Sequence, residues 1–404
     1  MFETLYRRIA ALVRHRVGPL AEERERFLRH LADQGGTFST LRTSANSMLW
    51  AATRMSPDDR HGVDAARLHE ILYGVSSPAP GFARTLLERV RPWLKFLGWW
   101  REEREPIPFE QELLLFVSWI RDERGLSSST VDVWGRRVAN FLRWCGRTDR
   151  DLANLCPEDV DAYFIAFGSR RLSRASAGTY ASVLRVFLGH TSTGACRVGL
   201  SESILGPRRY KLNTLPYALS WDDVRRVLAS AGSDTPRDVR DRAILMLLAI
   251  YGLRRGEVAA LRLDQIDWAG RELHVWRLKR QQPQVYPLQA SVADALAHYI
   301  DIVRPPSPHP EVFISLKAPR GPIGSQAIYF VVNQRLRALG IEAAHRGPHA
   351  LRHACAVKLM AAGLTLKEIG DHLGHRSTSA TMIYTKVDLR ALREVGDFDL
   401  GELQ

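Results

Sequence analysis

Between Asp238 and Tyr251 the chain carries a long apolar segment, and its run Ile244–Ile250 contains no polar residue. A helix that is apolar on every side must be buried on every side. The segment therefore predicts a helix that lies in the core. Gly252 ends that helix, Arg254 follows at once, and Arg255–Leu263 is expected to resume as helix. The pure apolar run Ala243–Ile250 is far too short to span a bilayer, so no membrane partner is expected.

The flanking patterns predict the neighbouring elements. Ser220-Trp-Asp-Asp223 reads as a capped helix entry. Leu273 and Val275 alternate with His274 and Trp276, which predicts a strand over Glu272–Leu278. A turn at Lys279–Pro283 then leads to a second strand, Gln284–Leu288. Helices are expected at Ser291–Val303 and Ser325–Leu339, with a short strand at Val312–Ser315 between them. Beyond these come helices Pro348–Ala361 and Leu366–Leu373, a helix near Ser379–Tyr384 and a helical tail, Asp388–Val395. Upstream, Pro106-Ile-Pro108 marks a boundary before a helical segment reaching about Val198. Its helices are Leu113–Arg124, one after the turn Gly125–Ser129, Pro157–Phe167 and Ala175–Leu188. Residues 1–105 show helical periodicity at Leu5–Val13, Glu22–Leu31, Thr40–Met55 and Ala65–Leu72. The cluster Trp93, Trp99 and Trp100 reads as a small core or an interdomain seam rather than a base-stacking surface. The expected organisation is an N-terminal helical extension of unassigned role (1–105), a helical domain (106–200), a basic linker (201–218), a mixed domain (219–387) and a tail (388–404).

Composition narrows the partner. Over 404 residues, 57 basic and 44 acidic side chains give a net charge of +13 and a pI of about 9.9. That balance favours a polyanion, nucleic acid before an acidic membrane surface. The excess is spread along the chain, so no single tail carries it. Candidate phosphate contacts are Arg136, Arg137 and Arg143 on one helix, Arg174 at the start of another, Arg208, Arg209 and Lys211 in the linker, and Arg280 in the hairpin turn. Cys145, Cys156, Cys196 and Cys355 have no metal-type spacing and read as reduced thiols. With no apolar signal core near the N-terminus, a cytoplasmic, nucleoid-associated location is the expectation.

The chemistry gathers in Gly347–Val387, which holds His349, Arg352, His375 and Tyr384. Arg352 lies three residues after His349, so a helix puts both on one face. Arginine forks onto phosphate oxygens, histidine moves protons near neutral pH and tyrosine can act as a nucleophile. These residue types together suggest work on a phosphate. His349 and His353 at i,i+4 also match a zinc-helix spacing. The zinc-protease pattern needs Glu after the first His, however, and Ala350 stands there, so no metal is expected. Leu364–His375 further reads as a helix-turn-helix entry with Leu366, Ile369 and Leu373 on its core face. Glu257 lies three residues after Arg254, well placed to hold its guanidinium.

Taken together these motifs resemble the tyrosine recombinase (phage integrase) family over about residues 107–395. YGLRRGEVAALRLDQIDW is similar to the family's first box, which implies a catalytic arginine at Arg254 and a supporting acid at Glu257. LKRQQPQVYPL resembles its hairpin, and counting back from Pro287 places the catalytic lysine at Lys279. HALRH matches the His-x-x-Arg box at His349 and Arg352, with His353 in support. LGHRSTSATMIYTKV matches the closing motif with His375 and the nucleophile Tyr384. The resemblance implies a mainly α protein with a small antiparallel β-sheet. It would comprise a helical core-binding (SAM-like) domain and an α+β catalytic domain, clamped around DNA, plus the extra N-terminal helices. It also implies a 3′-phosphotyrosine intermediate, double-stranded DNA carrying a specific recombination site, a homo-tetramer in the synaptic complex, accessory proteins and no cofactor. Integration, excision or transposition of a mobile element is the expected role. A type IB topoisomerase-like enzyme and a non-catalytic DNA-binding protein are the alternatives.

Overall fold

The apolar segment folds as the helix Pro236–Ile250. Thr235 caps its start, its hydroxyl accepting from the Asp238 N–H at 3.2 Å, and Pro236 occupies the first turn, where a missing N–H costs nothing. Every residue from Ala243 to Ala249 is buried. Each fully buried Leu, Ile or Met in that run contributes roughly 1.5–3 kcal/mol of burial free energy. The computed structural model describes residues 1–73, 80–102, 106–168, 173–191, 199–207, 218–279, 281–343, 346–375 and 381–382. Among these, no helix is long and apolar enough to cross a membrane.

The chain forms two compact units, one of Met1–Arg101 with Thr214–Gln404 and one of Glu102–Asn213. The first begins with helices α1 (Phe2–Leu5), α2 (Ile9–Val17), α3 (Ala21–Asp33), α4 (Phe38–Ala52), α5 (Ala65–Tyr73) and α6 (Pro80–Phe96). They enclose their own core, in which Met48, Leu28 and Trp93 are fully buried. The single helix expected over Leu5–Val13 is instead broken at Tyr6, whose backbone is extended (φ −131°). The break lets the Tyr6 ring stack on His15 at 4.3 Å and its hydroxyl reach Asn46 Oδ1 at 2.8 Å. The tryptophan cluster is core: α6 carries Trp93 inward, and Trp99 packs 6.5 Å from it.

The second unit holds α7 (Glu110–Asp122), α8 (Ser128–Arg147), α9 (Pro157–Tyr163), α10 (Arg174–Thr191) and the short α11 (Leu200–Ser203). Its core joins Phe116, Phe141, Tyr163 and Phe187, the apolar stripes of four helices. Five π-helical residues, Phe164–Gly168, extend α9 to the length the sequence predicts.

The mixed part of the first unit comprises α12 (Trp221–Ala229), the central helix α13 (Pro236–Ile250), α14 (Arg255–Ala259), strands β1 (Ile266–Asp267), β2 (Glu272–Arg277) and β3 (Gln282–Pro287), then α15 (Ala290–His298), α16 (Ser325–Ala338), α17 (Pro348–Ala361) and α18 (Leu366–Leu373). The sheet is antiparallel in the order β1-β2-β3, with Arg277 paired to Gln282 across a four-residue turn. The hairpin is thus tighter than expected, β3 starting two residues before Gln284. Val312–Ser315 is not a strand of this sheet. Val312, Phe313 and Ile314 are all fully buried rather than alternating, and only isolated bridges form there, at Glu311 and Ile314. Pro310, Pro319 and Pro322 interrupt any longer ladder. The expected α17 and α18 appear with their predicted bounds. The helix near Ser379–Tyr384 lies almost wholly, and the tail Asp388–Val395 wholly, outside the described residues.

Candidate active site

The C-terminal end of α18 organises the site. Thr365 caps its start, with Glu368 returning to the Thr365 N–H at 2.7 Å. Its other end is closed by Gly374 in the left-handed conformation (φ +63°). The Gly374 N–H bonds to Asp371 O at 3.0 Å and the His375 N–H to Gly370 O at 2.8 Å, a Schellman closure. That turn leaves the carbonyls of His372, Leu373 and Gly374 for side-chain donors. Arg277 Nη2 donates to His372 O at 2.8 Å, Arg352 Nη2 to Leu373 O at 2.7 Å and Arg254 Nη2 to Gly374 O at 2.9 Å. Three guanidiniums therefore converge on three consecutive carbonyls at the negative end of a helix, where cations are favoured.

Each arginine is fixed by a second contact. Arg254 caps the start of α14, and Glu257 accepts both its backbone N–H and its Nη1 at 2.8 Å. Arg277 Nη1 donates to the same carboxylate at 2.6 Å, and both of those side chains are about 1% exposed. Arg277 also donates Nε to Gln284 Oε1 at 2.8 Å and reaches the Tyr286 hydroxyl, which in turn donates to His372 O. Arg352 projects from α17, and its Nη1 donates to Gly252 O at 2.5 Å. Gly252 takes a positive φ of +59°, and a side chain there would collide with Leu373 Cδ2 at 2.5 Å and meet Cys355 Sγ at 3.3 Å. The glycine thus lets the end of α13 approach α17 and α18 closely enough for Arg352 to bridge them.

The histidines differ in setting. His375 Nδ1 lies 2.8 Å from Thr381 Oγ1, and Thr381 is itself buried. Burial first, then the charges of Arg352, Arg254, Arg277 and His349, push the His375 imidazole down to about 3, so it is neutral at physiological pH. His372 is lowered too, by burial and then by Arg277 and Arg352. His349 is exposed on the first turn of α17, and its ring stacks on that of His353 at 4.9 Å. Lys279 is exposed in the hairpin turn, two residues beyond Arg277. The site so gathered sets fixed cations beside a neutral imidazole, groups of the kind that stabilise developing negative charge.

Among the predicted residues, contacts join Arg254, Glu257, Arg352 and the turn bearing His375. Tyr384, Arg208, Arg209, Lys211 and Arg280 lie outside the described residues. The chain at Thr381, three residues before Tyr384, returns to α18, packing against Gly370. In the second unit Arg136 and Arg174 are exposed. The Arg137 guanidinium lies 4.8 Å from the centre of the Tyr180 ring, and Arg143 reaches Asn140 Oδ1 at 3.5 Å. Arg277, Gln284, Tyr286 and Thr381 escaped the sequence reading. For Arg277 the signal was present: Leu273 and Val275 point inward, and strand alternation carries residue 277 to the same buried face. Among the described residues, the one group of acidic and imidazole side chains close enough to share an ion is Asp267, Glu272 and His274, on the outer edge of β1 and β2. It includes none of the predicted site residues.

The architecture matches that of XerH site-specific recombinase bound to a palindromic difH substrate, with a TM-score of 0.58, 15% identity, and 88% of this chain and 94% of that one covered. The phage integrase family model matches residues 218–390, and the phage integrase N-terminal SAM-like domain matches residues 113–190. Among relatives, y4rA of Sinorhizobium fredii, which carries an integrase/recombinase name, is 35% identical over 75% of this chain and 74% of its own length. Tyrosine recombinase XerC of Methylobacterium nodulans is 31% identical over 69% of this chain and 88% of its own. The chain belongs to the phage integrase family. It is a tyrosine recombinase, an enzyme of site-specific DNA recombination.

Proposed function

We propose that Arg254 and Arg352, gathered at the C-terminal end of α18, form the phosphate clamp of a DNA strand-transfer site whose nucleophile is Tyr384. The observation that carries this reading is that Arg254 and Arg352, from distant segments, are anchored on the adjacent carbonyls of Gly374 and Leu373. In the step proposed, Tyr384 Oη bonds to the phosphorus of a DNA phosphodiester and the bond to the 5′-oxygen breaks, leaving a 3′-phosphotyrosine and a 5′-hydroxyl. The phenol titrates near pH 10 when free, so its proton needs an acceptor, and His349 fills that role. Arg254 and Arg352 neutralise the charge that builds on the non-bridging oxygens. Lys279 delivers a proton to the departing 5′-oxygen. His375, neutral and oriented by Thr381, donates a hydrogen bond to a phosphate oxygen. Reversal with a partner strand's 5′-hydroxyl rejoins the DNA, because the phosphotyrosine conserves the bond energy.

In this reading the partner is double-stranded DNA with a specific recombination site, held by four protomers in synapsis, and the cellular setting is the nucleoid. Arg136 and Arg174 contact DNA phosphates from the helical unit. Movement of a mobile element is the biological role we favour. A nicked suicide substrate tests the reading. The wild type traps a covalent adduct and joins two cognate sites, whereas Tyr384→Phe binds the same DNA without an adduct. Trapping without joining of two sites would point instead to a topoisomerase-like relaxing enzyme, and neither outcome to a DNA-binding protein.

A further inference from the structure

We propose that Arg277 is a positioning residue for strand cleavage, locking the hairpin that bears Lys279 onto the α18 terminus that bears His375. The proposal rests on the reading of Lys279 as the proton donor. Arg277 is a buried guanidinium two residues before Lys279 on β2, and it links three parts of the site. Nη1 shares the Glu257 carboxylate with Arg254, Nη2 takes His372 O at 2.8 Å, and Nε takes Gln284 Oε1 on the partner strand. Its side chain lies against Gly374, where an added Cβ would meet Arg277 Nε at 2.7 Å. Gln284 repeats the tie, donating Nε2 to Asp371 O at 2.8 Å.

Among the described residues of the hairpin tip, Leu278 packs over Gly256 of α14, where an added Cβ would meet Leu278 Cδ1 at 3.3 Å. The hairpin turn spans four residues, with Gln281 at φ +51° and its N–H on Arg277 O at 2.7 Å. Trp276, Leu278 and Val285 on its outer face are about half exposed. The polar contacts of Arg277 and Gln284 on the inner face tie the hairpin to the α18 terminus and so help set where Lys279 sits. A buried cation serving only stability is a poor choice, since an apolar pair of similar volume does as well. A cation that ties the proton donor to the phosphate clamp gives Arg277 a reason to be charged.

The test separates proton delivery from the rest of the reaction. With the ordinary substrate, Tyr384 displaces a 5′-alkoxide that must gain a proton. With a 5′-bridging sulfur, the P–S bond breaks and the sulfur leaves as thiolate with its electron pair, needing no proton because thiols are far stronger acids than alcohols. Single-turnover cleavage by the full-length protein is measured on both substrates for wild type, Arg277→Met, Gln284→Ala and Lys279→Ala, with DNA affinity measured in parallel. General acids contribute on the order of 10²–10⁴-fold. We expect Lys279→Ala to lose a factor in that range on oxygen and to recover to within about threefold of wild type on sulfur. Arg277→Met should lose at least about tenfold on oxygen, bind DNA normally and recover likewise. Gln284→Ala, which leaves the buried cation in place, should show a smaller loss with the same recovery, and it decides the matter if Arg277→Met fails to fold. If Lys279→Ala recovers on sulfur while the hairpin variants stay equally impaired on both substrates, or show no loss, the positioning role of Arg277 is wrong. If Lys279→Ala itself does not recover, Lys279 is not the proton donor and the proposal falls with that reading.

Discussion

Replacing Glu257 by Gln keeps the side chain's shape and removes its charge. The two carboxylate oxygens accept from Arg254 Nη1, the Arg254 backbone N–H and Arg277 Nη1. An amide in that place turns one acceptor into a donor facing a donor. The Glu257 and Arg277 side chains are about 1% exposed, so water cannot compensate the stranded guanidinium. Breaking such a pair from one side costs about 3–5 kcal/mol, a large share of the roughly 5–15 kcal/mol that holds a typical protein folded. In the folded-to-unfolded ratio this is roughly a hundredfold to several thousandfold. Urea denaturation followed by circular dichroism would read it. Replacing the whole pair, Glu257→Leu with Arg277→Met, removes both buried charges and should recover at least about half of the loss. Arg254, still about 23% exposed, can turn to solvent. A loss below about 1 kcal/mol for Glu257→Gln would refute the claim of a dry, interdependent pair. So would a double variant weaker than the sum of its parts.

Gly374→Ala should destabilise by about 1–2 kcal/mol or more, from the left-handed backbone alone, and slow cleavage because its Cβ displaces Arg277; thermal melts and suicide-substrate kinetics check both. Acid should weaken the fold through His375. Its folded pKa of about 3 lies below the ordinary 6.5, so the unfolded chain binds the proton first. The stability this neutral imidazole contributes is present above about pH 6.5 and lost as pH falls toward about 3. His375→Gln should flatten the stability-against-pH curve over that range. Burial pushes the Cys355 thiol up to about 12, so it should resist iodoacetamide at pH 8 in the folded protein and react once urea exposes it. Mass spectrometry of tryptic peptides would show this, with the partly exposed Cys156 modified before Cys355.

Much of the site was legible because it lies in local pattern. The bounds of α17 and α18 follow from their caps and apolar spacing, and Glu257 falls one helical turn after Arg254. What stayed hidden depends on tertiary contact. Carbonyl acceptors carry no sequence signature, so the anchoring of three arginines on His372, Leu373 and Gly374 could not be read from residue types. β1 has two residues, too few for alternation to register. Val312–Ser315 has the composition of a strand, yet consecutive burial, rather than pairing, explains its apolar run. Tyr6 breaks a helix because its ring is better placed against His15 than along a continuous α1–α2. The alternation of Leu273 and Val275 pointed Arg277 inward, but a charged residue at that position reads as the end of a strand until its partners are seen.

Trapping the covalent intermediate and sequencing the peptide attached to the DNA would identify the nucleophile and the linkage it forms. A 3′-phosphoryl nucleotide is expected on Tyr384 and none after Tyr384→Phe. A nucleotide carried by any other residue, or a 5′-phosphoryl linkage, would contradict this assignment.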